Sequence, residues 1–137
     1  KGYHVDDPKK PLKDYTVSDP SFGWAAGAII ARPSDVNRFF RALLDGELLG
    51  KKMLAEMKKT VPAAELGKGA GYGLGLAGYK LSCGRAWGHG GDIPGYHTTN
   101  AATEDGRAAI VALTRLPREL KELESTQKVL DDALCKG

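Results

Sequence analysis

One turn constrains the fold of this chain more than any other feature of its sequence. Asp105-Gly106 lies between two runs of strand-like composition, at about residues 96–103 and 107–114. An Asp-Gly pair readily adopts the backbone conformation of a tight hairpin turn, so the two runs are predicted to pair as antiparallel strands. Two earlier strands are predicted at about residues 72–80 and 84–89. The second half of the chain is therefore expected to form an antiparallel sheet.

Helical periodicity is found on both sides of the predicted strands. In residues 33–46, PSDVNRFFRALLDG, apolar side chains recur on one helix face, with Ser34 as the expected N-cap and Gly46 as the expected end. A second helix is predicted at about residues 118–134, where leucines form one stripe. Helices that pack on an antiparallel sheet define an α+β fold. The stripe consists of Leu120, Leu123, Leu130 and Leu134.

The chain is long enough for one domain with a modest core. Residues 1–23 carry three prolines, alternating charges and few aliphatic side chains, which predicts an extended surface segment. Residues 24–137 are expected to form the folded domain. The apolar run FGWAAGAIIA, residues 22–31, is predicted to be buried.

Composition and charge argue against several classes of function. The formal net charge is +3 and the lysines are scattered, so no nucleic-acid partner is predicted. No apolar run approaches the roughly 20 residues of a membrane span. GKGAGYGLGL and GELLGKK lack the spacing of dinucleotide and phosphate loops, so no cofactor is predicted. The three histidines lack metal-ligand spacing, which predicts no metal site, and His4 and His97 are interpreted as ordinary surface or turn residues.

The run WGHGGDIPGY, residues 87–96, is the first candidate for chemistry. His89 is predicted at the end of a strand, and the glycines beside it leave a free edge along which a ligand can lie. Backbone N–H groups after Gly91 can stabilise an oxyanion. A plain turn histidine at the rim of the sheet is the alternative, and the run alone does not separate the two.

The tetrad STQK, residues 125–128, is the second candidate. An S-x-x-K tetrad on a helix is how one class of hydrolases activates its nucleophilic serine. The helix phase turns Ser125 nearly opposite the leucine stripe, toward solvent, whereas a nucleophile needs a cleft and a partly desolvated base. Ser125 and Lys128 are therefore predicted not to be catalytic.

Two cysteines, Cys83 and Cys135, are widely separated in the chain. A disulfide between them would close a long loop and contribute roughly 4 kcal/mol of stability. Two free thiols fit the same spacing, so the residues alone leave both states open.

The run around His89 resembles the third motif of the penicillin-recognising serine hydrolases, in which His or Lys is followed by Thr or Ser and then by Gly. That family includes DD-peptidases, class C β-lactamases and related esterases. AGAIIARPSDVNRFFRALLDGELL, KTVP and GYGLGL resemble the sequence before that motif, in the family's order. LSCG and ALCKG resemble the sequence around the disulfide of secreted actinomycete DD-carboxypeptidases. The resemblance covers residues 24–137.

The resemblance implies roles for individual residues. His89 is expected to act electrostatically and in proton shuttling. The backbone N–H of Asp92 is expected to form half of an oxyanion hole. Gly90, Gly91 and Trp24 are expected to contact the substrate.

The resemblance also bears on the organisation of the protein. It pairs Cys83 with Cys135 and implies a secreted protein. The family's S-x-x-K and Y-x-N motifs are absent before residue 24, so the chain is expected to be the C-terminal portion of a β-lactamase/transpeptidase-like fold. Its last strand, about residues 107–113, is expected to bind the missing N-terminal portion or a second copy of the chain.

Two departures from the family pattern bear on the substrate. Gly90 replaces the usual Thr or Ser, which removes a hydroxyl that contacts the substrate carboxylate. Ala77 stands where the carboxypeptidases carry a basic residue. The first hypothesis is a serine acyl hydrolase that acts on a D-Ala-D-Ala-type peptide, an ester or a β-lactam, and both departures leave room for esterase or amidase activity. The second hypothesis is a non-catalytic fragment or binding module.

Overall fold

A computed structural model describes residues 1–7 and 9–137. Its four helices are α1 (Trp24–Gly27), α2 (Pro33–Leu44), α3 (Lys51–Met57) and α4 (Leu120–Cys135). Two short strands near the N-terminus are β1 (Tyr3–His4) and β2 (Lys13–Asp14). The main sheet contains β3 (Val61–Pro62), β4 (Gly71–Tyr72), β5 (Ala77–Leu81), β6 (Gly84–Ile93), β7 (Tyr96–Ala102) and β8 (Ala108–Leu113).

The main sheet is antiparallel throughout, and its strand order β3-β4-β5-β6-β7-β8 follows the order of the chain. The predicted α+β fold and the hairpin at Asp105-Gly106 are confirmed: Gly106 has a φ of +89° between β7 and β8. β6 is longer than predicted because it continues to Ile93 before the chain turns at Pro94-Gly95, where Gly95 has a φ of +91°.

One predicted strand, residues 72–80, is wrong as a continuous element. The chain turns back between Tyr72 and Ala77, so that these two residues pair across β4 and β5. The Gly73 N–H donates to the Leu76 carbonyl over 2.9 Å within this turn. A Cβ at Gly73 would collide with the Met57 carbonyl oxygen, so the turn needs glycine there.

The sheet has a core on each face because successive side chains of a strand point to opposite sides. On one face, α2 and α3 cover the first cluster. On the other face, α4 covers the second cluster, where burial raises the pKa of Tyr79 to about 12 and keeps its hydroxyl protonated. The first cluster comprises Phe40, Leu43, Leu54, Leu76, Trp87 and Ala102. The second comprises Ala77, Tyr79, Ala86, Ala101, Leu130 and Leu134.

Two details of the helices differ from the predictions. α2 begins at Pro33, with Arg32 rather than Ser34 as the N-cap residue, because proline suits the first helical position, where no N–H is needed. Leu120 of the leucine stripe is 71% exposed because it is the first residue of α4, whereas Leu130 and Leu134 are each 1% exposed.

The apolar run at residues 22–31 is exposed, contrary to its predicted burial. Ile29 and Ile30 are 89% and 93% exposed, and Phe22 is 59% exposed. Within residues 1–7 and 9–137, no element covers these side chains. Most of residues 1–23 are also exposed, and they include β1, β2 and a 3₁₀ turn at Pro20–Gly23. The predicted boundary at residue 24, between a surface segment and the folded domain, stays a prediction. Residue 8 of that segment lies outside the described residues.

The start of α4 is tied to the chain after β8 by a charged pair. Arg115 donates to both carboxylate oxygens of Glu122, over 2.8 and 2.7 Å, and the Arg118 N–H donates to Glu122 over 2.9 Å. The Arg115 bonds are the main reason that the pKa of Glu122 falls from 4.5 to about 2.

This pair predicts a loss of stability in acid. A carboxyl group whose pKa is lowered on folding stabilises the folded state above its unfolded-state pKa, and that contribution disappears as pH falls through the folded-state value. The free energy of unfolding is therefore expected to fall between about pH 4.5 and 2, and to fall less steeply in Glu122→Gln. Urea unfolding at a series of pH values measures this. Glu124→Gln removes the same charge at an exposed position of α4 and should keep the wild-type slope. Equal slopes in wild type and Glu122→Gln would contradict the prediction.

Candidate active site

The central strand β6 extends beyond its pairing with β5. β5 pairs with Gly84 to Gly88, whereas β7 pairs with Trp87 to Ile93. Among the residues that the structure describes, residues 89–93 of β6 are thus paired on the β7 side alone. This free edge leaves backbone donors and acceptors available to an extended ligand.

Contacts with Asn100 of β7 fix the position of the backbone at His89. A Cβ at Gly88 would collide with the Asn100 carbonyl oxygen, so this close approach of the two strands requires glycine. The Asn100 side chain donates from Nδ2 to the His89 carbonyl, and the Asn100 Oδ1 lies 3.4 Å from the backbone nitrogen of His89. Asn100 is buried, so these backbone contacts satisfy a polar side chain that has little access to water.

The imidazole of His89 is exposed at the start of the free edge and has a hydrogen-bond partner at each ring nitrogen. Nδ1 contacts the carbonyl oxygen of Gly90. Nε2 lies 2.7 Å from the hydroxyl of Tyr72, and the two rings meet edge to face with centroids 5.6 Å apart. The structure therefore places the predicted catalytic histidine in a defined orientation, although its catalytic role stays a prediction.

His97 is a buried residue, which corrects its interpretation as a surface or turn histidine. Its ring is 4% exposed, and its Nδ1 lies 2.5 Å from a carboxylate oxygen of Asp92. Its Nε2 lies 3.1 Å from the Thr99 hydroxyl. Burial is tolerated because both ring nitrogens have partners. This contact holds the side chain of Asp92, the residue whose backbone N–H is the predicted oxyanion donor.

Trp24 lies on α1, which borders the far end of the free edge. A Cβ at Gly27 of α1 would be in van der Waals contact with Ile93, at 3.6 Å. Trp24 is 85% exposed and has a φ of +34°, the only positive φ at a non-glycine residue in the described part of the chain. Such a conformation costs roughly 1–3 kcal/mol and is concentrated at functional sites. The predicted substrate contacts of Trp24, Gly90 and Gly91 stay predictions.

The STQK tetrad is not arranged for nucleophilic catalysis. Ser125 is exposed on α4, and its hydroxyl donates to the Lys121 carbonyl over 2.7 Å. Lys128 pairs with Asp132 over 3.0 Å. A serine nucleophile requires a base that accepts its proton, whereas the Ser125 hydroxyl donates its hydrogen bond to a backbone carbonyl.

Tyr72 and Asn100 were not predicted from the sequence as residues of the site. Asn100 had a usable signal, because it is a polar residue in a strand that the Pro94-Gly95 turn places opposite His89. Tyr72 had none, because its approach to His89 depends on the turn between β4 and β5.

Cys83 and Cys135 form a disulfide, as the resemblance predicted. Among the described residues, no group of His, Cys, Asp and Glu side chains is arranged to hold a metal ion. In the same residues, no helix has the length and apolarity needed to cross a membrane.

A family model identifies the class of protein to which this chain belongs. The chain belongs to the beta-lactamase family, whose family model matches residues 1–134.

Two solved structures resemble this chain closely. A D-stereospecific amidohydrolase from Streptomyces sp. is 36% identical over 99% of this chain and 39% of its own, with a TM-score of 0.82. A D-amino acid amidase from Ochrobactrum anthropi SV3, complexed with L-phenylalanine amide, is 29% identical over 97% of this chain and 40% of its own, with a TM-score of 0.75. The chain thus spans about two fifths of the length of each.

Proposed function

We propose that residues 1–137 form one wall of the active site of a serine hydrolase that cleaves D-amino-acid amides or related esters. The observation that carries this proposal is the free edge of β6, which begins at a fully oriented His89 and continues through two glycines. The names of the two similar proteins support an amide as the substrate and D-amino acids as its stereochemistry.

The reaction proposed is acyl transfer through an acyl-enzyme. An activated serine oxygen bonds to the amide carbonyl carbon, the C–N bond breaks, and the amine leaves with a proton. Water then attacks the acyl ester, which releases the carboxylic acid and restores the serine hydroxyl. Because STQK is unsuited to this step, we propose that the serine and its base come from a segment other than residues 1–137.

Residues of this chain would bind the substrate, stabilise the negative charge that develops on its carbonyl oxygen, and assist proton transfer. The substrate backbone lies along residues 89–93, where Gly90 and Gly91 allow close approach. The N–H of Asp92 stabilises the oxyanion as the carbonyl carbon becomes tetrahedral, and His89 assists proton movement to the leaving amine. Trp24, at the far end of the edge, contacts the substrate side chain.

Two residues, one on the edge and one on the neighbouring strand β5, favour a substrate without a terminal carboxylate. Gly90 supplies no hydroxyl and Ala77 supplies no positive charge, so neither binds a carboxylate. A neutral amide or ester needs no such partner. This is why an amidase or esterase is proposed ahead of a carboxypeptidase.

A secreted D-Ala-D-Ala carboxypeptidase, or a β-lactam-binding relative, is the second candidate. The observation that favours it is the Cys83–Cys135 disulfide, since disulfides are typical of secreted proteins and this pair resembles that of the secreted carboxypeptidases. Its substrate would be a peptidoglycan-type peptide.

The central test is hydrolysis of D-phenylalanine amide by the polypeptide that combines residues 1–137 with the serine-bearing segment. We expect His89→Ala to lower kcat by about 10²- to 10⁴-fold, the usual contribution of a positioned acid–base group. His4→Ala, a matched control on β1, should keep the wild-type rate. Faster turnover of acyl-D-Ala-D-Ala than of the amide would instead favour the second candidate.

Residues 1–137 alone are expected to show no turnover of the amide and no covalent labelling by a fluorescent penicillin. The physical reason is that neither Ser125 nor Lys128 can act as the nucleophile–base pair. Turnover that is present in the wild-type chain and lost in Ser125→Ala would show this reasoning to be wrong. Labelling of the combined polypeptide would argue against a purely non-catalytic binding module.

A further inference from the structure

We infer that Tyr72 is a positioning residue for His89, because its hydroxyl acts together with the Gly90 carbonyl to favour the ring form in which Nδ1 carries the proton. This inference deepens the proposed function and rests on it for its catalytic consequence. The protonation pattern itself follows from the contacts alone.

The two ring contacts of His89 define one neutral form. A carbonyl oxygen only accepts hydrogen bonds, so the contact between Nδ1 and the Gly90 carbonyl requires a proton on Nδ1. Neutral imidazole carries one proton, so Nε2 then has a free lone pair. The Tyr72 hydroxyl, 2.7 Å away, donates to that lone pair. The neutral ring is thus Nδ1-protonated, with Nε2 as its only basic atom.

Tyr72 is held firmly enough to impose this arrangement. It pairs with Val61 on one side and Ala77 on the other. Its ring packs against the cluster beneath α4. The chain after Tyr72 turns at Gly73, which lies tightly against the Met57 carbonyl. The phenol therefore reaches His89 from a backbone that is fixed on both sides.

The same contact serves both charge states of His89. A phenol hydroxyl can donate or accept, so it donates to the bare Nε2 and accepts from a protonated Nε2. The imidazole can gain and lose a proton at Nε2 without rotating. A proton that moves during the reaction is therefore handled at one atom whose position does not change, and such preorganisation saves the cost of reorienting the ring.

The test measures the protonated nitrogen directly in residues 1–137. Imidazole ¹⁵N NMR is recorded at a pH where His89 is neutral, in wild type and in Tyr72→Phe, which keeps the packed ring and removes the hydroxyl. We expect the Nδ1-protonated form in wild type and a larger share of the Nε2-protonated form in the variant, because only the Gly90 contact then favours the proton on Nδ1. Tyr79→Phe is the matched control, because it removes a buried hydroxyl from the neighbouring strand, and it should leave the His89 signals unchanged.

Two results would overturn the inference: an Nε2-protonated His89 in wild type, or a Tyr72→Phe spectrum identical to that of wild type. The first result is measured on wild type. The inference can therefore be overturned even if Tyr72→Phe does not fold.

A kinetic arm separates failure of the inference from failure of the proposed function. In the combined polypeptide, Tyr72→Phe is expected to lower kcat by about tenfold or more with little change in KM, since loss of the correct tautomer impairs proton transfer rather than binding. If D-phenylalanine amide is not hydrolysed at all, the proposed function fails while the tautomer result stands. If the amide is hydrolysed but Tyr72→Phe matches wild type in both spectrum and kcat, only the inference fails.

Discussion

Replacing both Cys83 and Cys135 by serine is expected to lower the free energy of unfolding by about 4 kcal/mol. The disulfide joins the turn between β5 and β6 to the last residue of α4, across 52 residues of sequence. A cross-link over a loop of this length restricts the unfolded chain strongly, and the entropic model gives the quoted value. For a domain of this size, the melting temperature should fall by roughly 10–15 °C.

Thermal and urea unfolding of the oxidised wild type and the double variant measure this effect. A reducing agent should bring wild type close to the double variant and leave the double variant unchanged, which is the matched control. A thiol assay on denatured, unreduced wild type should find no free thiol. Two free thiols, or equal stability of the two proteins, would contradict the prediction.

Residues 1–137 on their own are expected to self-associate through β8. In the described part of the chain, β8 pairs with β7 alone, and its sequence AAIVAL is apolar. The Tyr3 N–H donates to the Thr114 carbonyl over 2.7 Å, so the N-terminal segment reaches only the end of this edge. An unpaired apolar strand edge is a template for another strand, and the exposed Ile29 and Ile30 add apolar surface.

Light scattering at high micromolar concentration tests this, with an expected mass above that of the monomer. Ala112→Lys places a charge on an exposed position of β8 and should shift the population toward monomer. Ala133→Lys, an exposed position of α4, adds the same charge elsewhere and should not. A monomer whose backbone amides at residues 108–113 exchange slowly with solvent would contradict the prediction. That result would mean that the outer edge of β8 is already hydrogen-bonded within the monomer. If the proposed serine-bearing segment pairs with β8, its addition should compete with self-association.

Local chemistry predicted the β7–β8 hairpin well and predicted distant contacts poorly. Asp105-Gly106 encodes its turn within two residues, so the pairing of β7 with β8 could be predicted from the sequence. The break between β4 and β5 depends on how Gly73 meets Met57 across space, and no local pattern records that contact.

Burial was the least predictable property. The apolar composition of residues 22–31 shows that the run can be covered, but it does not show which element covers it. His97 was misjudged for a related reason: its buried ring has a partner in Asp92, which the register set by the Pro94-Gly95 turn places opposite it. For the same reason, His89 could be singled out from its glycine neighbours, whereas its partner Tyr72 could not.

The order of strands in the main sheet has a consequence for how the site wall assembles. Each strand from β3 to β8 pairs with the strand that precedes or follows it in the chain, so every pairing closes only a short loop. Short loops cost little entropy to close, and chains rich in local contacts reach their folded state quickly. The edge that carries His89 therefore needs no distant strand to form between β5 and β7. The pairings that position His89 therefore all lie within residues 61–113.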